Sequence, residues 1–340
     1  MTTPQYSADQ ITFCHAALSN LSSMQNGTPQ QIQQIVKNQL NSVYTNTNIQ
    51  LLIGNWKVVW GPSVLTYNGK DLNDMYIAYC ADTNQYVVAI SGTNSKSAVD
   101  WITEDFEVLS TVTWPYLPEH SIINPCISKA TSNGLNALIN LKDSETGDTA
   151  ATYLGKNKAT NIIVSGHSLG GALSPTYALY LADTLSQWSQ EENVQISVMA
   201  LAGATPGDAA FSNYYTSRLG ATTNRVWNQF DVVPHGFEAD MLKKVKSIYD
   251  GTFHTPGYIS LVIDGLVLAT ANKHYTQLMP ETPGFSIPIW QKTSGFLDAA
   301  LCNHICCYAM HFNVGDFQQL VSTTLGLSKP FFSDGDPLYM

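Results

Sequence analysis

Between Asn161 and Ala172 the chain reads Asn-Ile-Ile-Val-Ser-Gly-His-Ser-Leu-Gly-Gly-Ala, an apolar run that passes without a break through Gly-x-Ser-x-Gly into a helical pattern. A strand that turns at once into a helix, with a serine at the apex, is the context of a nucleophile elbow. Ser168 would then sit at strained backbone angles, and Gly166 and Gly170 would keep side chains out of the place where strand and helix approach. Its hydroxyl would project above the sheet at a helix N-terminus, where the dipole favours a developing oxyanion. Two glycines and a serine also occur by chance in ordinary turns. The strand before, the helix after and the further glycine at Gly171 argue for the elbow. His167, next to the nucleophile, points elsewhere and reads as packing.

The remaining pattern predicts an α/β fold with a mostly parallel central sheet and helices on both faces. The first fifty residues read as a polar helical extension of two amphipathic helices packed onto a core, with Ser7 as a cap and Thr28-Pro29 opening a helix whose Ile32, Ile35, Val36, Leu40 and Val43 share one face. Strands are expected at Trp56 to Trp60, Met75 to Ala81 and Tyr86 to Ile90, where β-branched and aromatic runs are bounded by turn residues. Helical and strand patterns then alternate: helices at 133–141, 170–188 and 209–219, strands at 162–165, 194–202 and 224–230. Alternation on this scale implies crossover connections. Neither a repeat nor a long linker calls for a second domain, so residues 1–340 read as one.

Composition narrows the function. The chain of 340 residues is 44% apolar but only 12% charged, against about 25% charged in an average domain. With 16 basic and 26 acidic side chains the net charge is −10, which repels phosphate backbones, so nucleic acid is not expected as a partner. The most apolar stretch, Ile259 to Ala271, is too short to span a bilayer and holds Asp264. The opening Met-Thr-Thr-Pro-Gln-Tyr, with no Lys or Arg before Lys37, does not read as a secretory leader. Cytoplasm and leaderless export both stay open. The six cysteines form no recognisable disulfide framework.

Four motifs in order resemble the class 3 lipases, the fungal-lipase-like branch of the α/β-hydrolases. They are Ile90-Ser-Gly-Thr93 followed by Asp100-Trp101, the elbow Gly166 to Gly171, Gly203-Ala-Thr-Pro-Gly-Asp-Ala-Ala-Phe211, and Asn228-Gln-Phe-Asp-Val-Val-Pro234. The resemblance runs from about Met75 to Phe312 and implies a single α/β-hydrolase domain. Ser91 stands where the family usually carries Arg, which touches a structural ion pair more than the chemistry. Thr93 keeps the oxyanion position, so the resemblance implies an oxyanion hole made with the Leu169 N–H. It also implies a lid at about 94–125, where Trp101, Phe106 and Trp114 are the candidate apolar residues; a plain core role for that segment competes.

A serine nucleophile needs a general base in contact and a carboxylate that orients the base. In this fold the chain order is Ser, acid, His. Asp231, in the loop after the 224–230 strand, is the expected acid, although an Asp there is also a common turn-former. Five histidines follow it. His235 lies in the same loop, and His254 and His274 suit the surface. The family places its base shortly before a tyrosine, and Asn303-His304-Ile-Cys-Cys-Tyr308 fits best, with His311 as the alternative base. His304, Cys307 and His311 on one helix face could also suggest zinc, but no recognised metal spacing accompanies them, and no metal is expected. Ser333-Asp-Gly-Asp-Pro337 lacks the downstream Glu of a calcium loop and reads as a surface turn.

The expected function is hydrolysis of carboxylic esters of lipids through an acyl-enzyme, without a cofactor. Ester or lipid substrate and transient contact with a lipid interface are the expected partners; the oligomeric state is open. A short-chain esterase, phospholipase, polyester hydrolase or acyltransferase would use the same triad. A non-catalytic lipid-binding relic and, more weakly, a peptidase are the readings from other classes.

Overall fold

The computed structural model describes residues 4–67, 70–92, 106–288 and 293–333. Its central sheet has six strands in the order β1-β2-β3-β6-β7-β8. These are β1 (Trp56–Tyr67), β2 (Lys70–Cys80), β3 (Gln85–Ile90), β6 (Asn161–His167), β7 (Gln195–Leu201) and β8 (Thr223–Val226). The first three pair antiparallel, while β3, β6, β7 and β8 run parallel. Two short strands, β4 (Thr111–Thr113) and β5 (Cys126–Ser128), make a separate ribbon.

Helices α1 (Ala8–Ser19), α2 (Pro29–Thr45) and α3 (Thr47–Ile53) precede the sheet. Then come α4 (Lys129–Asn140), α5 (Ala150–Lys156), α6 (Leu169–Asp183), α7 (Leu185–Trp188) and α8 (Ala209–Leu219). The last are α9 (Ala239–Val245), α10 (Gly257–Thr270), α11 (Phe296–His304), α12 (Cys306–Phe312) and α13 (Gly315–Leu325). Ser7 and Thr28 each close a capping box, with Gln10 and Gln31 reaching back, so both chain reversals at the N-terminus are locally encoded.

Both faces of the sheet are buried, which explains strands that read as continuous apolar runs. In β3, Val87 and Ala89 join a core with α1, α2, α12 and α13, while Val88 and Ile90 join a second core with α4 and α6. Alternate residues of one strand thus feed opposite layers. The N-terminal helices are part of this packing: α1 lies on β3 and β6, and α2 on β1.

Several element ends differ from the sequence pattern. Strand β1 continues past Trp60 because Gly61, at φ 73, absorbs an irregularity in the pairing with β2. Strand β8 stops at Val226, because Trp227 and Gln229 pair their backbones with Phe285. The helix expected at 170–188 is two, α6 and α7, divided at Thr184.

Candidate active site

Strand β6 ends at His167 and α6 begins at Leu169, leaving Ser168 between them at φ 62, ψ −121. That backbone conformation costs an ordinary residue on the order of 1–3 kcal/mol and persists only when its surroundings impose it. The surroundings are backbone. A Cβ on Gly166 would stand 2.6 Å from the Ile90 carbonyl oxygen, and one on Gly170 would overlap that same carbonyl. One residue on, a Cβ on Gly171 would overlap the Leu201 carbonyl. The glycines let α6 lie directly on the ends of β3 and β7.

Three side chains meet at this turn. His304, the last residue of α11, places Nε2 2.8 Å from Ser168 Oγ. Its Nδ1 lies 2.8 Å from Asp231 Oδ2 and 3.0 Å from Oδ1. A carboxylate only accepts, so Nδ1 carries the hydrogen and Nε2 is free to accept from the serine hydroxyl. All three residues are buried. Asp231 is fixed further by the Tyr308 hydroxyl, which donates to Oδ2 at 2.8 Å, and by the Val233 N–H, which donates to Oδ1 at 3.0 Å. Burial, with the Asp231 carboxylate beside it, holds the Tyr308 hydroxyl well above its ordinary pKa, so it stays a donor.

His167 packs its ring on that of His304, centroids 4.7 Å apart, and its Nε2–H donates to the His304 carbonyl at 2.7 Å. Burial first, and then the neighbouring His304, push the His167 pKa well down and keep it neutral. A neutral ring there places no like charge beside the His304 imidazole. His235 remains in its own loop, Nδ1–H donating to the Asp231 carbonyl at 2.7 Å. His254 and His274 are exposed.

His311, the alternative base, is not brought to the serine. It lies exposed at the end of α12, its ring stacked on Phe285 at 4.1 Å. Cys307 turns instead toward the Ile287 carbonyl and Asn303.

Thr93, Trp101 and the rest of the 94–125 segment up to residue 105 lie outside the described residues, as do residues 334–337. The backbone of Phe106 opens a 3-10 turn, Phe106–Leu109; its side chain also lies outside the description. Trp114 is a correction to the lid assignment. It is 1% exposed, packs on Phe211 and Tyr116, and donates its indole N–H to Asp183 at the far end of α6. A 15-residue helix is about 22 Å long, so this tryptophan is fixed core remote from Ser168.

Two features had no sequence signal. Asn20, just past α1, accepts the Gly92 N–H through Oδ1 at 3.0 Å and so ties the N-terminal segment to the loop that leaves β3. A cavity of about 380 Å³ opens onto Ser168, His167 and His304, and its other walls come from the two ends of the chain, residues 20–24 and 327–333. Pairs separated by 72 residues or more leave no local pattern to read.

The parallel sheet, the strained serine between β6 and α6 and the late histidine place the chain in the α/β-hydrolase class. The class 3 lipase profile matches residues 87–241. The crystal structure of M37 lipase is similar at 30% identity, covering 94% of this chain and 100% of that one, with a TM-score of 0.83. Two fungal structures are more distant. Rhizomucor miehei triacylglyceride lipase is 20% identical over 67% of this chain and 75% of that one, with a TM-score of 0.46. The lipase from Rhizopus microsporus var. chinensis is 19% identical over 69% and 72%, with a TM-score of 0.46. No curated protein matches the sequence. The chain belongs to the class 3 lipase family and is a carboxylic ester hydrolase acting on ester or lipid substrates.

Proposed function

We propose that Ser168, His304 and Asp231 are the nucleophile, general base and orienting acid of this hydrolase. The observation that carries the reading is the unbroken chain from Ser168 Oγ through His304 Nε2 and Nδ1 to Asp231, with a separation of 2.8 Å at each end. As Oγ attacks the ester carbonyl, its proton passes to Nε2, and Asp231 stabilises the imidazolium without taking a proton itself. The tetrahedral oxyanion is held by the Leu169 N–H, the first of α6 and without an intrahelical partner, with Thr93 as the second donor; one such donor contributes about 2.7–4 kcal/mol to the barrier. His304 then protonates the departing alcohol, and water activated by the same imidazole hydrolyses the acyl-Ser168 ester.

Triacylglycerol is the proposed lipid, on the strength of the class 3 lipase family to which the chain belongs. We also take the whole chain as one α/β-hydrolase domain, residues 1–50 included, because α1 lies on β3 and β6 and Asn20 binds Gly92.

Hydrolysis of p-nitrophenyl esters from acetate to palmitate tests the assignment on wild type, Ser168→Ala, His304→Ala and His311→Ala. The first two substitutions should lower kcat by at least about 10⁴-fold, and His311→Ala should stay within about twofold of wild type. A His311→Ala variant as inactive as Ser168→Ala, or an active His304→Ala, would overturn the choice of base.

A further inference from the structure

Strand β3 is released from the sheet in two steps at its C-terminal end, and the sheet makes only the first. Its last ladder partners are Met75 and Gly166, on either side of Ile90. Ser91 is still held by β2: its N–H donates to the Asp74 carbonyl at 3.1 Å, and its hydroxyl accepts the Asp74 N–H at 3.3 Å. The next N–H, that of Gly92, turns away and donates to Asn20 Oδ1 at 3.0 Å. Asn20 is the residue after α1, and its amide is used at both ends, since Nδ2 donates back to the Ala16 carbonyl at 3.0 Å. An acceptor facing an N–H and a donor facing a carbonyl fix which way the amide points. Helix α1 is itself anchored. Phe13 stacks on Phe312, and Tyr76 of β2 donates to the His15 carbonyl at 3.0 Å. Gly92 in turn lies against the nucleophile turn, where a Cβ on it would stand 2.8 Å from the His167 carbonyl oxygen and 3.1 Å from Ser168 Cβ.

We infer that Asn20 is a positioning residue for acyl transfer: it holds Gly92 against the elbow and so sets the peptide unit that carries the Thr93 N–H. The inference rests on the proposed roles of Ser168 as nucleophile and Thr93 as oxyanion donor. That N–H belongs to the planar unit that begins at Gly92 Cα, so whatever fixes Gly92 fixes one end of the donor. A donor lowers the barrier only when it is aimed at the place where the oxygen becomes an anion. Misplacing such a group by about 1 Å can cost about 10²-fold in rate. Gly92 is buried, and without Asn20 its N–H would have to find another acceptor or stay unpaired, so the chain would shift. Asn20 lies outside the residues 87–241 that the class 3 lipase profile matches. The N-terminal helix thus adds this clamp to the matched motifs, and it acts through Gly92 rather than on the substrate.

Hydrolysis of p-nitrophenyl butyrate by wild type, Asn20→Leu and Asn20→Ser tests the role. Leucine keeps the size of the side chain without its polar atoms, and serine stays polar but is too short to reach Gly92. Thr12→Val, which removes a bond inside α1 to the Ala8 carbonyl, is the reference for a weakened helix. A p-nitrophenyl alkylphosphonate taken to completion counts the active sites, so kcat is read per intact site and misfolded protein drops out. Both Asn20 variants should lose about 10- to 100-fold in kcat, with KM moving less than about threefold. The Ki of an alkylboronic acid, whose tetrahedral serine adduct carries an oxygen in the oxyanion position, should rise by the same factor. Thr12→Val should keep kcat within about twofold of wild type. A purely structural role would reduce the number of sites and leave kcat per site and the boronate Ki at their wild-type values. That result in both Asn20 variants, or an equal loss of kcat per site in Thr12→Val, would overturn the positioning role. No Ser168 adduct on wild type would instead refute the nucleophile on which it rests.

Discussion

Ser168 was legible in the sequence because its strain has a local cause. The glycines that permit it stand two residues to either side and the strand and helix that impose it are contiguous. Its proposed base was not legible in the same way, since nothing in the spacing of His304 and His311 distinguishes a ring aimed at the serine from one stacked on Phe285. Only the break between α11 and α12 at Ile305 turns His304 inward. Another histidine matters for stability. His15 is fully buried, with Nδ1 2.7 Å from the Tyr44 hydroxyl; that hydroxyl meets Tyr76 at 3.0 Å, and Tyr76 donates to the His15 carbonyl. Every contact in this ring carries one hydrogen when Nδ1 donates to Tyr44 and Tyr44 donates to Tyr76. Burial lowers the His15 pKa from 6.5 to about 3, so the unfolded chain binds a proton that the native state refuses. Stability from this group is complete above about pH 6.5 and is lost as pH falls toward 3. The loss reaches up to about 1.4 kcal/mol per pH unit. Urea midpoints measured from pH 7 to pH 4 should fall less steeply for His15→Gln than for wild type; His167, shifted in the same direction, keeps part of the slope. Parallel slopes would show that His15 takes up its proton equally in both states.

At the scale of elements, periodicity and turn residues located the parallel strands and the helices that cross between them, because each buries a face against its neighbours. It failed where a tertiary partner overrode the local pattern. The Gly61-Pro62 pair looks like a terminator but lies within β1, and Asn224 to Phe230 looks like one strand but gives its second half to Phe285. Contact between α6 and β7 also depends on one hydrogen. Gly171→Ala would gain about 1 kcal/mol of helix propensity, but its methyl would overlap the Leu201 carbonyl. Overpacking costs about 1–3 kcal/mol, more when the obstacle is backbone, so a net loss near 2 kcal/mol is expected. Gly265→Ala in α10 meets nothing within 4 Å and should stabilise by about 0.4–1 kcal/mol. A Gly171→Ala midpoint at or above that of wild type would contradict the close packing of α6.

The whole molecule joins what the sequence separates. Its first fifty residues read as amphipathic helices packed onto a core; α1 is largely buried beneath the sheet, and Asn20 and Met24 stand at the site. The C-terminal stretch arrives from the other end of the chain to face them. The polar residues of α1 do not hold it at the surface: Thr12 and Ser19 donate to carbonyls inside the helix, and His15 bonds Tyr44 through Nδ1. What unites these pieces is the serine they surround. The most direct measurement is covalent: the protein is incubated with a p-nitrophenyl alkylphosphonate and the adduct is mapped by mass spectrometry in wild type and in His304→Gln. A single adduct on Ser168, forming at least about 10³-fold more slowly in His304→Gln, is the expected result. An adduct at another serine, or an equal rate in the two proteins, would contradict the assignment of Ser168 as a nucleophile activated by His304.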